Sequence, residues 1–279
     1  RQPARDFLQR RLNMKVRNHS IDLPEREPFK LEDYADQAIA ERLLHQFLQD
    51  RVAPSSSLLN RRLRAEGVLP HGMPGDLLYQ KQVDNTEQFY RAIQTKQILD
   101  WLPIRSFDWE LNGFHLHGSL NELTPNGRIV FIMGKSHAWQ WVDIWIKHIA
   151  LNKMDNVPAR KTFVYTPEKE FILNELSNPD EALHLLQQSL DTYWQGLCEP
   201  LPCFPKAGFA LFDNKKKEED LNNAIKAWEG SDFSSSEAEK PENALLYRGL
   251  NPITDDPRFR VLAQQFWMPL IKLLEESKH

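Results

Sequence analysis

Phe7, Leu8, Leu12 and Val16 recur at helix-compatible intervals among arginines, so residues 1–16 read as a short amphipathic helix that breaks before Leu23-Pro24. After Pro28, residues 31–52 set Ala35, Ile39, Leu43, Leu44, Phe47 and Leu48 on one stripe, the pattern of a helix packed on a core. The serines at 55–57 offer an N-cap for a short basic helix that carries Leu58, Leu59 and Leu63 with Arg61, Arg62 and Arg64. A Pro- and Gly-rich turn over 69–75 opens a helix over 76–99, with Leu77, Leu78, Phe89, Ile93 and Ile98 at apolar positions. The first third of the chain is mainly helical.

The period then changes to two. Phe107, Trp109 and Leu111 alternate with polar residues, Asn112-Gly113 is a hairpin signal, and Phe114, Leu116 and Gly118 continue the alternation. A turn at Thr124-Pro-Asn-Gly127 precedes the apolar run 129–133, which predicts three antiparallel strands in a row. Over 138–153, Trp139, Trp141, Val142, Ile144, Trp145, Ile146, Ile149 and Leu151 cover most sides of a helix and imply deep burial. Residues 161–166 read as a strand, 179–197 as a helix and 216–229 as a charged, exposed helix. A closing helix over 258–276 should kink or end at Pro269. The polar, Ser-rich stretch 230–242 reads as a mobile surface insertion.

At 279 residues and 41% hydrophobic, the chain can bury a sizeable core. It begins at Arg1 inside a patterned segment, the expectation for a fragment of a longer polypeptide. A net charge of −4 argues against a free-standing domain that coats DNA with a basic face. Cys198 and Cys203 lie without the Cys/His ladder of a zinc site or the density of a disulfide scaffold, and read as buried or incidental thiols. No run of ~18 apolar residues and no basic-then-apolar leader occurs, so no membrane span is expected and a cytoplasmic setting fits.

Strand, turn, strand and a buried helix after a helical block is the core order of the PD-(D/E)xK nuclease fold. The opening Pro3-Ala-Arg-Asp-Phe-Leu-Gln-Arg-Arg-Leu12 resembles the start of the nuclease-type domains of bacterial RecB and RecC proteins. Three further segments are similar to RecC, the gamma subunit of exodeoxyribonuclease V. They are Pro24-Glu-Arg-Glu-Pro-Phe-Lys-Leu31, Leu63-Arg-Ala-Glu-Gly-Val-Leu-Pro-His-Gly72 and the aromatic helix 139–152. The four segments fall within the first 155 residues, with a weaker echo in the last helix. The resemblance implies an α/β, restriction-endonuclease-like fold with a degenerate active site. Its parts would be an N-terminal helical block over 1–105, a nuclease-like sheet and central helix over 106–166, and a C-terminal helical extension over 167–279.

A nuclease of this fold needs carboxylates for Mg²⁺ and a lysine near the attacking water. Active relatives carry the first acid in a Gly-x-Ile/Val-Asp-Arg-Ile/Val-Asp strand, and the matching Gly118-Ser-Leu-Asn-Glu-Leu-Thr124 puts Asn121 at the metal-binding position. Their second acid and lysine form Asp-x-Lys on the next strand. Here Arg128-Ile-Val-Phe-Ile-Met-Gly-Lys135 sets Met133 and Lys135 there, or Ile132 if the register slips by one. Asn121, Met133 and Lys135 therefore read as vestigial, with no catalytic residue and no metal. Glu122 could replace one ligand, but strand alternation points it away from Asn121.

His115, His117, His137 and His148 fall within 34 residues and raise a zinc hypothesis. No acid or Cys completes a tetrahedral set, so solvent-facing or hydrogen-bonded histidines are the stronger reading. Lys135, Ser136 and His137 could still touch a phosphate beside the vestigial site. Trp139, Trp141 and Trp145 could stack on bases, but an all-round apolar helix makes them core. Lys215, Lys216 and Lys217 begin a solvated helix and could meet a sugar-phosphate backbone. No Gly-x-x-x-x-Gly-Lys-Ser/Thr loop is present, so no ATP use by this chain is expected.

What the RecC resemblance implies is a non-catalytic scaffold that works with RecB and RecD subunits in a helicase-nuclease for double-strand break repair by homologous recombination. It would dock RecD and help to guide or part DNA strands, while the partner subunits use Mg²⁺ and ATP. Two alternatives stay open: an active metal-dependent nuclease with Glu122 or Asp143 as ligands, and a protein-interaction domain without DNA contact.

Overall fold

Apolar residues recurring every three to four positions build the N-terminal helices. The computed structural model describes residues 3–16, 33–50, 56–96, 98–213, 219–231 and 235–278. In it, α1 (Pro3–Asp6) runs into a π-helical turn over Phe7–Arg11, so the opening helix ends at 11 rather than 16. α2 (Asp33–Asp50) buries Ile39, Ala40, Leu43, Leu44 and Phe47. α3 (Ser56–Ala65) adds Leu59 and Leu63, and α4 (Met73–Thr95) packs on both with Tyr79, Val83, Phe89, Tyr90 and Ile93. Of the expected serine cap, Ser55 lies outside the described residues. α4 starts earlier than its apolar pattern because Pro74 sits in its first turn, where a missing N–H costs no hydrogen bond.

β1 (Arg105–Leu111) and β2 (Phe114–Leu120) form the expected hairpin through Asn112-Gly113, both at positive φ, 50° and 76°. The hairpin is a two-stranded sheet of its own, so the expected array of three antiparallel strands does not form. Glu122, at a left-handed φ of 61°, breaks the chain between β2 and the short β3 (Leu123–Thr124). β3 belongs instead to a five-stranded sheet ordered β3, β4 (Gly127–Phe131), β5 (Thr162–Tyr165), β6 (Lys169–Leu173), β7 (Leu274–Lys278). β4 and β5 are parallel, with α5 (Ala138–Lys153) between them in the chain, and the other neighbours are antiparallel.

Strand alternation divides the core between the two faces of this sheet. Ile129, Phe131, Phe163 and Tyr165 meet Phe47, Phe89, Ile93 and Met133 on the side of α2 and α4. On the other side, Val130, Val164, Phe171 and Leu173 pack with α5, α6 (Pro179–Cys198), α7 (Pro205–Ala210) and α8 (Leu221–Glu229). α9 (Pro241–Leu246) follows, and α10 (Arg258–Leu273) closes that layer with Phe259, Ala263 and Trp267. Helices cover both faces of a mixed sheet, an α/β arrangement.

The C-terminal half departs from its pattern in four places. α10 passes through Pro269 to Leu273, and residues 274–278 then pair with β6 rather than prolonging the helix. Residues 167–279 therefore supply two of the five strands and are not a purely helical extension. α8 starts at Leu221, where Asp220 Oδ1 accepts the Asn223 N–H at 3.2 Å, and it buries Ala224 and Trp228, so it is amphipathic rather than exposed. The stretch 230–242 is not a surface insertion throughout, because Ser236, Glu237 and Glu242 are buried polar residues tied into the helical layer.

Candidate functional site

Asn121 is exposed in the break between β2 and β3. Beside it, Glu122 accepts Arg128 Nη2 at 3.2 Å, and its carbonyl accepts the Ile129 N–H at 2.8 Å. Arg128 is almost wholly buried, and burial lowers its pKa against the opposing charges of Glu122 and Asp143. Asp143 in turn pairs with Lys147 at 2.8 Å, so each carboxylate weighed as an alternative metal ligand is tied to a cation. Glu122 lies outside any strand, so strand alternation does not govern its direction.

Met133 lies 5% exposed among Ala40, Leu44, Phe47 and Ile93. Gly134, at φ 128°, then turns the chain outward, and Lys135 is exposed beyond the end of β4. Asn121 thus precedes the break at Glu122, and Met133 lies two residues beyond the end of β4. Asn121 and Lys135 are therefore exposed while Met133 belongs to the core.

A basic cluster does form at the start of α5. His137 begins that helix, its N–H donating to Gln140 Oε1 at 2.9 Å. Its imidazole is held below its ordinary pKa by partial burial and then by Lys135 and Lys206. Burial also lowers Lys206, with Glu237 opposing and Lys240 and Lys135 adding to the effect. Lys206 Nζ donates to the Ser235 carbonyl at 2.5 Å, and Lys240 Nζ lies 3.5 Å from Glu237 Oε1. Lys206 and Lys240 carry no local sequence signal of this neighbourhood. Lys215, Lys216 and Lys217 lie outside the described residues.

The remaining candidates separate. His115 and His117 are exposed on β2, with His115 Nε2 3.0 Å from Glu110 Oε1, whereas His148 is wholly buried. Among the described residues, no three His, Cys, Asp or Glu side chains gather as a metal-binding group. Trp141 and Trp145 are core residues, but Trp139 is 49% exposed, so only two of the three belong to the apolar interior. Cys198 is exposed, and burial pushes the Cys203 thiol up to about 12. No described helix is long and apolar enough to cross a membrane.

A family model described as the RecC C-terminal domain matches residues 1–216 of this chain. The RecBCD enzyme subunit RecC of Escherichia coli (strain K12) is 26% identical over 286 residues, which cover 97% of this chain and 24% of that protein. The RecBCD enzyme subunit RecC of Buchnera aphidicola subsp. Schizaphis graminum (strain Sg) is 21% identical over 284 residues, 97% of this chain and 26% of that protein. The chain spans about a quarter of the length of the curated relatives it matches.

Proposed function

The chain belongs to the RecC C-terminal domain family, and from that premise we propose that it is the non-catalytic, nuclease-like part of a RecC subunit. In this reading it scaffolds the RecBCD helicase-nuclease, exodeoxyribonuclease V, in the cytoplasm during double-strand break repair by homologous recombination. It docks RecB and RecD and guides or parts DNA strands.

The observation that carries the reading is the state of the two acid positions. Mg²⁺ takes carboxylate oxygens in near-octahedral geometry. A carboxamide at Asn121 and a thioether at Met133 packed in the core do not fit that ion. Mg²⁺ and ATP are accordingly assigned to the partner subunits. The sheet order around β4, α5 and β5, with helices on both faces, supports a restriction-endonuclease-like origin for the fold. Lys135 and Lys206 beside His137 supply a local phosphate-facing patch on a chain whose net charge is −4.

Cleavage and mobility-shift assays of the purified chain on single-stranded, double-stranded and forked DNA, with Mg²⁺ or Mn²⁺, test this. The expected result is no metal-dependent cleavage and a salt-sensitive shift of forked DNA that weakens roughly tenfold in a Lys135→Ala, Lys206→Ala variant. Metal-dependent cleavage abolished by Glu122→Ala or Asp143→Ala would overturn the reading, and no shift even at low salt would leave a protein-docking role alone.

A further inference from the structure

The hairpin tip, α6 and α10 enclose a groove of about 390 Å³ on the side of the molecule formed by the C-terminal helices. Five carboxamides, Asn112, Gln187, Gln188, Gln195 and Gln265, with His184 and one acid, Asp191, set its chemistry, and no Lys or Arg lines it. α6 itself carries Asp180, Glu181 and Asp191, with His184 and no Lys or Arg among its 20 positions. Such a surface repels a phosphate backbone. Carboxamides present donors and acceptors together, the complement of a polypeptide main chain.

Two neighbours sharpen this. Trp194, one helical turn from Asp191, is 56% exposed, its ring held edge-on to Phe114 at 5.9 Å between centroids. Asp191 is positioned by Asn112 Nδ2, at 3.0 and 3.2 Å from its two oxygens, which leaves lone pairs on both for a further donor. We propose that this groove docks an extended segment of a partner protein. The carboxamides bind its main chain, Asp191 receives a Lys or Arg side chain, and Trp194 covers the segment's apolar atoms. The assignment rests on the scaffold reading and adds which surface takes a polypeptide and what residue it selects.

A random dodecapeptide display library selected on the purified chain is the probe, with a dT₁₂ oligonucleotide as competitor. Enriched peptides should carry Lys or Arg and lose roughly tenfold in affinity, read by fluorescence anisotropy, on Asp191→Asn and again on Trp194→Ala. Both side chains are exposed, so the fold should survive both changes. Three results overturn the assignment: no enrichment of basic peptides, enriched peptides indifferent to both variants, or dT₁₂ binding that Trp194→Ala abolishes. The forked-DNA shift is measured on the same variants. Its persistence while peptide binding fails removes the groove alone, whereas loss of both removes the scaffold reading as well.

Discussion

Arg128 Nη2 donates to Glu122 Oε2 at 3.2 Å across an asymmetric boundary, the arginine side chain 2% exposed and the glutamate 45%. Nε and Nη1 of Arg128 have no hydrogen-bond acceptor among the described residues, so the guanidinium depends on Glu122 and, more distantly, on Asp143. A buried cation thus engages a carboxylate one residue from the vestigial metal position.

Glu122→Ala should consequently be costly for a half-exposed residue. Removing one partner of a fully buried pair costs about 3–5 kcal/mol, and solvent access to the carboxylate reduces this to about 1–3 kcal/mol. Arg128→Met removes the buried charge together with its desolvation cost and should be milder, because the Glu122 carboxylate it leaves alone is half exposed and can be solvated. Urea unfolding of the two variants checks the order; equal losses would mean that the pair acts mainly through packing.

Restoring acids should not restore a nuclease. Met133→Asp places a carboxylate among Ala40, Leu44, Phe47 and Ile93, an uncompensated burial expected to cost several kcal/mol, about 3 or more. The Asn121→Asp, Met133→Asp double variant should unfold at lower urea and cleave no DNA with Mn²⁺. Cleavage by a folded double variant would show that the two positions converge after all.

The helical block and α5 were legible because Ile39, Leu43, Phe47 and the run around Trp141 and Trp145 repeat at helical intervals over long windows, and the hairpin because Asn112-Gly113 supplies its positive φ values. β7 was not, since its pairing is non-local: Leu274 lies opposite Leu173, and the apolar stripe of α10 runs up to the residue before it. At the candidate site, Asn121 and Met133 were found through the resemblance. The kink at Glu122 was hidden because glutamate has no preference for left-handed backbone, and Arg128 because arginine is rarely an internal residue. Lys206 reaches His137 only through the packing of α7 against α5, and Lys240 in turn acts on Lys206.

His148 makes part of the fold's stability depend on pH. The Asn174 carbonyl can only accept, so the neutral ring donates from Nε2 at 3.1 Å, and Nδ1 accepts the Thr162 hydroxyl at 2.9 Å. Asn152 Nδ2 donates to the carbonyls of His148 and Arg160, at 2.9 and 3.0 Å. Burial pulls the imidazole pKa down to about 4, with the Asn174 hydrogen bond opposing and Arg128 contributing. The unfolded chain titrates near 6.5 and takes up the proton first. This contribution is therefore complete above about pH 6.5, falls as pH drops toward 4, and is flat below, with a span of at most about 3 kcal/mol. In unfolding at pH 7.5, 5.5 and 4.5, the advantage of the wild type over His148→Gln should shrink steadily. A constant difference would mean that the buried ring takes up its proton over the same pH range as in the unfolded chain, and a growing advantage at low pH that it is protonated in the fold.

Glu237 ties the Ser-rich stretch to α7 and gives a test of whether that stretch is structural. It is 3% exposed; Oε1 accepts the Lys206 N–H at 3.3 Å and Oε2 the Ala207 N–H at 2.9 Å, so a single carboxylate caps the first turn of α7 from far along the chain. Its backbone is held as well, by the Trp228 carbonyl at 3.0 Å and Asn243 Nδ2 at 2.8 Å. Glu237→Ala removes the acceptor of the wholly buried Ala207 amide and should cost about 1–3 kcal/mol. Glu237→Gln keeps one acceptor oxygen and should recover part of the loss. Because the cap acts locally, amide hydrogen exchange over 205–210 should accelerate in the alanine variant while that of α4 stays at the wild-type rate. Unchanged exchange over 205–210 in a folded variant would mean that packing around Phe204 and Trp228, rather than the carboxylate, holds the start of α7.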